Sequence, residues 1–521
     1  MSTGASKVRT VFRNTAWTSV DLVVDMLSPM VTSVLVARVM GPTRLGAYAY
    51  VLWVAGMAVA LGTLGIPTAV SRYVPDYLAR RRPELAWAVV REAFRLQVLT
   101  MGGVVVAGLL LVFGAASADA RVYASLAVLS IFPAGLLGIA TAVNSSFEDV
   151  RSNVVPSVSG ILTNVSGVVI SLLFGWGLVG LAGALLAGRC VDAGLRFGLM
   201  SRNLPGHLAR RDFSLGEIRR DEALPPALRS ELLAFCGQST TLLLLQLVVW
   251  NRSEMFFLKR FCDLRQIAFF SLAFAFGLVP QHLAGPFVKA ATTTLFAEQG
   301  RGAEWMRRFA ESMWRYSSLL VWPAAVGLAA VGGPLLRVLY GDRYADALPA
   351  FVLAAALSGL PRLVEAPTRL VTVLGGQGTL VRWGLVSACV TLCLDLWLVP
   401  RYCAVGGSAA NGLGQTIATI GVCAIAVRRF GFRLRWRFNL RVVAAAAVMG
   451  LAVIASTSRL PDIAALVAGP IVGVVVYALA VRALGVLDAA DAERLRSLEP
   501  ASPAWARGAF RWLLAVCLPR G

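Results

Sequence analysis

The sequence predicts an all-α polytopic membrane protein of about fourteen transmembrane helices: two pseudo-symmetric six-helix lobes plus two extra C-terminal helices. Three observations carry that prediction. Of 521 residues, 57% are hydrophobic and only 15% charged, against roughly 25% charged in soluble proteins, and mean hydropathy is +0.71. Apolar runs recur along the whole chain, most near or above the ~20 residues that cross a ~30 Å hydrocarbon core. The runs also repeat, in order, from the first half to the second.

The first two runs, 13–40 and 45–70, flank Gly41-Pro42, a turn signal, and read as a transmembrane hairpin. Runs 92–113, 122–147, 154–174 and 178–200 complete one lobe. Runs 232–258, 267–290, 313–332, 347–374, 380–399 and 405–427 make the second, and 440–457 and 463–484 follow. The expected domains are therefore 1–201, a cytoplasmic linker 202–231, 232–430, helices 13 and 14 in 431–485, and a cytoplasmic tail 486–521. The repeat has an offset of about 220 residues. ARVMGPTRLGAYAY (37–50) parallels LKRFCDLRQIAFFS (258–271), and REAFR (91–95) parallels ESMWR (311–315). FPAGLLGIATAVN (132–144) parallels LPRLVEAPTRLVT (360–372), and GLVGLAGA (177–184) parallels CAVGGSAA (403–410). Six spans starting on one side give a parallel pair of repeats.

The net charge of +21 does not call for nucleic acid, because excess Lys and Arg mark the cytoplasmic loops of a membrane protein. Basic clusters follow span two (Arg72, Arg80, Arg81, Arg82, Arg91) and span six (Arg202, Arg210, Arg211, Arg219, Arg220, Arg229). A third precedes span thirteen (Arg428, Arg429, Arg433, Arg435, Arg437, Arg441). The alternate loops are short and poorer in Arg, so both termini are expected in the cytoplasm. Arg252, Lys259, Arg260 and Arg265 dissent by falling on the outer side. No cleavable signal peptide is expected at the start. The tail AWARGAFRWLLAVCLPRG (504–521) reads as a short interfacial helix or a frayed end.

The eight cysteines suggest no disulfide framework. Cys190, Cys236, Cys389, Cys393 and Cys423 lie inside apolar runs, where thiols pack as small hydrophobes. No metal site is expected at Cys389 and Cys393, which lack further ligands nearby, and His207 and His282 complete no nucleophile–His–acid set. The chain is not expected to be an enzyme.

Charges inside the runs are costly, about 2.5–3.5 kcal/mol on insertion scales, and mark functional positions or buried pairs. Asp21 and Asp25 share a face of span one. Gln246 is the approximate repeat partner of Asp25. Arg362, Glu365 and Arg369 line one face of span ten, with Pro361 and Pro367 expected to kink it. Arg189, Asp192 and Arg196 repeat that spacing in span six. Each triplet is either cavity-facing or self-neutralising, and the two aspartates are either a coupling site or neutralised by an arginine of another helix. Arg252, beside Trp250 and Asn251 near the outer end of span seven, is either an exit-side phosphate site or part of an interfacial belt. Asp395 in span eleven and Asn411 in span twelve form a further pair. His282 can titrate near neutral pH or sit at an interface.

Several motifs carry a family resemblance. Span one ends in VLVAR, followed by Gly41-Pro42 and a G-x-Y. Span two closes in LGTLGIPTAVSRYVPDYLAR. LYGDRYADALPAFVLAA (339–355) approaches span ten, and LWLVPRYCAVGGSAAN (396–411) joins spans eleven and twelve. Over spans one to twelve this resembles the polysaccharide transporter and O-antigen (lipid-linked oligosaccharide) flippase family, within the multidrug/oligosaccharidyl-lipid/polysaccharide exporter superfamily. Cys403 departs from the family's usual Gly, and span seven lacks a Pro near its start.

The resemblance implies two lobes around a cavity that opens alternately inward and outward, in a bacterial inner (cytoplasmic) membrane. The implied cargo is an oligosaccharide on a polyprenyl-(pyro)phosphate, with glycosyltransferases or a polymerase of the same pathway as partners. Arg362, Glu365, Arg369, Arg252, Arg189 and Arg196 would then meet the anionic headgroup. Asp21 and Asp25, with Gln246 facing Asp25, would handle a coupling Na⁺ or H⁺; Asp395 and Asn411 are another candidate, since lipid II flippases of this superfamily have a sodium site involving spans seven, eleven and twelve. No other cofactor is implied. The rival readings are a cation-coupled multidrug exporter of the same superfamily and a membrane glycosyltransferase or polymerase. The short outer loops argue against the enzymes.

Overall fold

A computed structural model describes residues 2–115, 117–209, 213–214, 216, 224–250, 252–487 and 491; side chains at some helical positions, chiefly 2–16 and 245–250, are outside the description. The interfacial helix expected at 504–521 lies outside the described residues, as does Asn251. Among the described residues ten helices are long and apolar enough to cross a membrane, and a bent pair makes an eleventh. Two of the ten are of double length. Gln377–Phe430 has 54 residues, about 80 Å at ~1.5 Å per residue, and breaks at Cys403 (φ 46°, ψ −120°). Ser2–Thr63 breaks at Gly41 (φ 78°, ψ 177°). Splitting both at these turns, and adding Pro226–Trp250, recovers the expected fourteen spans.

Contacts divide the chain into two compact units, Met1–Leu244 and Leu245–Gly521. The first holds α1 (Ser2–Thr63), α2 (Ile66–Ala79), α3 (Pro83–Ala115), α4 (Ala118–Leu129), α5 (Ile131–Ser146), α6 (Arg151–Leu173) and α7 (Gly177–Ala209). It also holds most of α8 (Pro226–Trp250). The division thus falls inside span seven rather than in the linker. Packing supplies the reason. Arg229 pairs with Glu92 at 2.8 Å, Tyr73 Oη donates to Glu231 at 2.9 Å, and the Arg72 guanidinium lies over the Phe235 ring.

Span two ends earlier than its apolar text suggests. Leu64 and Gly65 take positive φ, and α2 follows as a separate amphipathic helix burying Ile66, Val70, Tyr73, Tyr77 and Leu78. Gly65 is required there: a Cβ would fall 2.7 Å from Ser239 Cβ and 3.0 Å from the Cys236 carbonyl. Helices α6 and α7 meet through small residues, with a Cβ on Gly160 or Gly188 falling 2.7 Å from the other's carbonyl. Small residues let membrane helices approach closely in this way.

The second unit holds α9 (Glu254–Phe261), α10 (Leu264–Ala297), α11 (Ala303–Ala330), α12 (Gly332–Tyr340), α13 (Leu348–Leu357), α14 (Leu360–Leu363), α15 (Glu365–Val373), α16 (Gln377–Phe430), α17 (Trp436–Thr457) and α18 (Asp462–Ala483). Asp263 caps α10, accepting from Gln266 N at 2.9 Å. α11 and α12 bend by 62° at Val331. The LYGDRYADALPAF motif builds an aromatic core in which Tyr340, Tyr344 and Phe351 pack with Phe269 and Phe276. Arg337 of α12 forks onto Asp462 at the start of α18. Beyond α18, Asp491 returns to α11, where Arg315 Nη2 donates to it at 2.5 Å and both residues are buried. Leu173, Leu451 and Ile463 are among many large apolar side chains left exposed, the surface that lipid covers in a membrane protein.

Candidate functional site

Span ten is segmented as its prolines predict. The helix interrupts at Ser358–Gly359 and at Val364, each about one turn before Pro361 or Pro367, where a proline ring displaces the preceding carbonyl. Arg362 is held there from two sides. Its Nε donates to the Gln281 carbonyl of α10 at 3.0 Å and its Nη1 to Glu365 Oε1 at 2.5 Å. Arg369, one turn further, has its Nε buried without a hydrogen-bond partner. The expected triplet is therefore an ion pair plus an arginine with donor capacity to spare.

In the first unit the matching triplet is closed. Arg196 Nε and Nη2 both donate to Asp192 Oδ1, at 3.0 and 2.8 Å, and Nη1 donates to Thr141 Oγ1 at 2.6 Å. Both charges are buried. This is the self-neutralising arrangement, and it uses most of the arginine's fork within the protein. Arg189 and Asp21 act electrostatically on Asp192, so span one's aspartate joins the cluster of span six. Arg189 and Asp25 are exposed. Gln246 sits in α8, but its side chain is outside the description, so its expected facing of Asp25 has no structural account.

The most distinctive constellation lies where α8 gives way to α9, joined by both arms of α16. Glu254 and Asp395 are each completely buried. Asn411 Nδ2 donates to Glu254 Oε1 at 2.9 Å, and Gln415 Nε2 donates to Asn411 Oδ1 at 2.9 Å. Ser253 Oγ donates to Asp395 Oδ2 at 3.0 Å. The second oxygen of each carboxylate, Glu254 Oε2 and Asp395 Oδ1, has no donor, and neither has the buried Ser408 hydroxyl. Asp395 and Arg252 both act electrostatically on Glu254. Two buried carboxylates close enough to repel, with open lone pairs, need a proton or a hard cation. Among the described residues no three His, Cys, Asp or Glu side chains converge, so the donor set is oxygen-rich and of mixed carboxylate, amide and hydroxyl type.

The Arg252 guanidinium lies over the Phe274 ring, 4.8 Å from the centroid, and acts electrostatically on Glu254. The outer-side charges that dissented from the topology also find partners within unit two: Arg265 pairs with Asp346 at 2.8 Å, and Arg260 stacks on Phe261. The cysteine reading is corrected. Cys262 and Cys403 form a disulfide with Cα atoms 5.9 Å apart.

Glu254 is the member of this cluster that the sequence reading missed. It stands inside the apolar run 232–258, where the rule that singled out Asp21, Asp25 and Asp395 applies equally. A small, partly open pocket, with room for about one or two water molecules, adjoins the cluster, its polar lining supplied by Gln281, Ser358, Ser408, Asn411 and Gln415. Asn411, which holds Glu254, and Gln281, whose carbonyl holds Arg362, thus open on the same space.

Comparisons with known proteins agree with this architecture. The profile of a family described as "Polysaccharide biosynthesis protein" matches residues 11–298. The chain is similar to a solved lipid II flippase, MurJ, in an inward closed conformation: TM-score 0.69, 14% identity, 90% of this chain and 98% of that one. An inward-facing multidrug resistance MATE transporter of the MOP superfamily gives TM-score 0.63 at 16% identity over 78% of this chain and 94% of that one. A point mutant of the Vibrio cholerae MATE transporter VcmN gives 0.57 at 14% over 83% and 100%. No curated protein sequence matches the chain.

Proposed function

Since the chain belongs to the polysaccharide biosynthesis protein family, we propose that it is a flippase, not an enzyme, moving a polyprenyl-(pyro)phosphate-linked oligosaccharide from the cytoplasmic to the outer leaflet of a bacterial cytoplasmic membrane. A hydrated anionic headgroup cannot enter hydrocarbon bare, where an unpaired ion costs tens of kcal/mol. Arg369, with donors to spare, and Arg362 offer the planar fork that binds phosphate in two places at once. Exposed Arg189 is the matching cation of the first unit. An inside-negative potential favours outward transfer of negative charge, by ~2.3 kcal/mol per charge per 100 mV.

The observation that supports ion coupling is the shared cavity. A proton or Na⁺ taken up by Glu254 and Asp395 changes the charge beside a pocket whose lining holds Glu254 through Asn411 and Arg362 through the Gln281 carbonyl. Coupling requires that loading the acid pair and releasing the headgroup favour different states of these shared neighbours. Asp21 and Asp25 would serve the first unit in the same way, Asp21 lying near enough to repel Asp192.

The test is flipping of a fluorescent polyprenyl-diphosphate oligosaccharide in proteoliposomes with imposed Na⁺ or pH gradients. Glu254→Gln with Asp395→Asn should leave the protein folded and remove the gradient dependence. Unchanged gradient dependence refutes the coupling. Transport of cationic dyes in place of the lipid would favour the multidrug reading.

A further inference from the structure

The Cys262–Cys403 disulfide is the one covalent tie among the described residues, and its place relative to the acid cluster is regular. Glu254 stands eight residues before Cys262, Asp395 eight before Cys403, and Asn411 eight after it (262 − 254, 403 − 395, 411 − 403). Eight residues of helix span about 12 Å, so the bridge joins the outer ends of the three segments that carry the cluster.

Cys403 occupies backbone that an L residue rarely adopts, with φ 46° and ψ −120°. A side chain at such a position is retained against a conformational cost that glycine would not incur. The repeat sharpens the point. Cys262 aligns with Gly41 and Cys403 with Gly177, and both glycines take positive φ. The second unit has replaced both turn glycines of the first with cysteines and joined them.

The neighbourhood transmits position to the cluster. Ala404 N donates to Gln266 Oε1 at 3.3 Å, so the α16 turn that is bridged to the end of α9 is also tied to the start of α10. A Cβ at Gly407 would lie 3.6 Å from Glu254 Cβ and 3.1 Å from Phe270, so the second arm of α16 rests directly on α9. The charged groups acting on Glu254 are Asp395 and Arg252, and Asp395 is carried on the bridged α16.

We propose that the Cys262–Cys403 disulfide is a positioning element for the Glu254–Asp395–Asn411 cluster, fixing the spacing of its ligands so that the oxidised protein binds its coupling ion more tightly than the reduced one. This rests on the coupling reading above. Disulfides persist on the oxidising side of a membrane, so the bridge also places this turn on the outer face.

Thermal unfolding of the purified full chain in detergent, titrated with NaCl against KCl at several pH values, tests it. Wild type, wild type reduced with a phosphine, Cys262→Ser with Cys403→Gly, and Glu254→Gln are compared. Alkylation and mass spectrometry count the thiols; Cys190, Cys236, Cys389, Cys393 and Cys423 are free in any case. The reduced and double-cysteine forms should need about tenfold more Na⁺, or a pH about one unit lower, to gain the same stabilisation over their own ion-free state. Equal ion requirements in oxidised and reduced protein, whatever the difference in ion-free melting temperature, overturn the proposal while leaving the coupling reading intact, provided Glu254→Gln abolishes the response. Absence of any Na⁺ or proton response in oxidised wild type overturns both. Should the double variant fail to fold, reduced wild type alone decides.

Discussion

The two units solve the same problem of intramembrane charge in opposite ways. In the first, Arg196 spends its fork on Asp192 and Thr141 in a buried pair. In the second, Glu254 and Asp395 keep one oxygen each without a donor, and Arg369 keeps an unpartnered Nε. Saturated charge is architecture, since either partner alone would be a bare buried ion. Unsaturated charge is capacity, since something must still arrive to complete it. The comparison teaches that the i, i+3, i+7 spacing of Arg, acid and Arg pairs one arginine with the acid in both units, Arg196 in one and Arg362 in the other, and that tertiary partners such as Thr141 and the Gln281 carbonyl go with the choice.

The sharpest way to break this contrast is to remove one member of each pair. Arg196→Ala or Asp192→Ala should destabilise by about 3–5 kcal/mol, as expected for an orphaned buried charge, whereas Arg196→Met with Asp192→Leu should recover most of that loss. Glu254→Gln, by contrast, should leave stability equal or higher. Detergent thermal unfolding reads both, and a large loss in Glu254→Gln would erase the distinction.

A smaller effect is expected in span ten. Arg362→Ala removes two charge-assisted hydrogen bonds and should cost about 1–3 kcal/mol along with flipping. Arg369→Ala should cost flipping with little loss of stability. Wild-type flipping in Arg369→Ala would show that its spare donor is not offered to cargo.

The smallest effect is a surface one. Asp149, in the turn between α5 and α6, accepts from Ser152 Oγ at 2.7 Å, Ser152 N at 3.2 Å and Asn203 Nδ2 at 3.2 Å, and pairs with His207 Nε2 at 2.9 Å. Burial pushes its carboxyl up, but the hydrogen bonds together hold it below the usual carboxylate range. A lowered folded value stabilises the protein fully above the unfolded value of about 3.9 and loses that contribution as pH falls through the folded value. Asp149→Asn should therefore lower the melting temperature by a few degrees at neutral pH, with the gap to wild type narrowing below about pH 4. A pH-independent gap would assign the effect to packing.

Much of this is legible in the text. Run length marks the spans, Gly41-Pro42 the first turn, and Pro361 and Pro367 the interruptions of span ten. Asp395 and Asn411 stand out as polar residues in apolar runs and do share one cluster. Glu254 is easily passed over because Arg252, Lys259, Arg260 and Arg265 around it read as a loop of outer charges, although the acid lies within the apolar run. The Cys262–Cys403 pairing, with a sequence separation of 141 residues, cannot come from spacing, since connectivity is a tertiary fact. Its trace is indirect: both cysteines stand where the repeat has glycine. Whether Arg196 faces cargo or Thr141 depends on a residue 55 positions away, which no local pattern encodes.

The Asp491–Arg315 bond has a practical consequence for anyone mapping this molecule by truncation. The carboxylate lies past the last apolar helix, where a fusion reporter or purification handle would ordinarily be joined. Cutting there removes a buried partner of the Arg315 guanidinium, which lies against the Phe438 ring, so a shortened chain that fails to accumulate reports the loss of that bond and not membrane topology. Junctions should be placed downstream of residue 491.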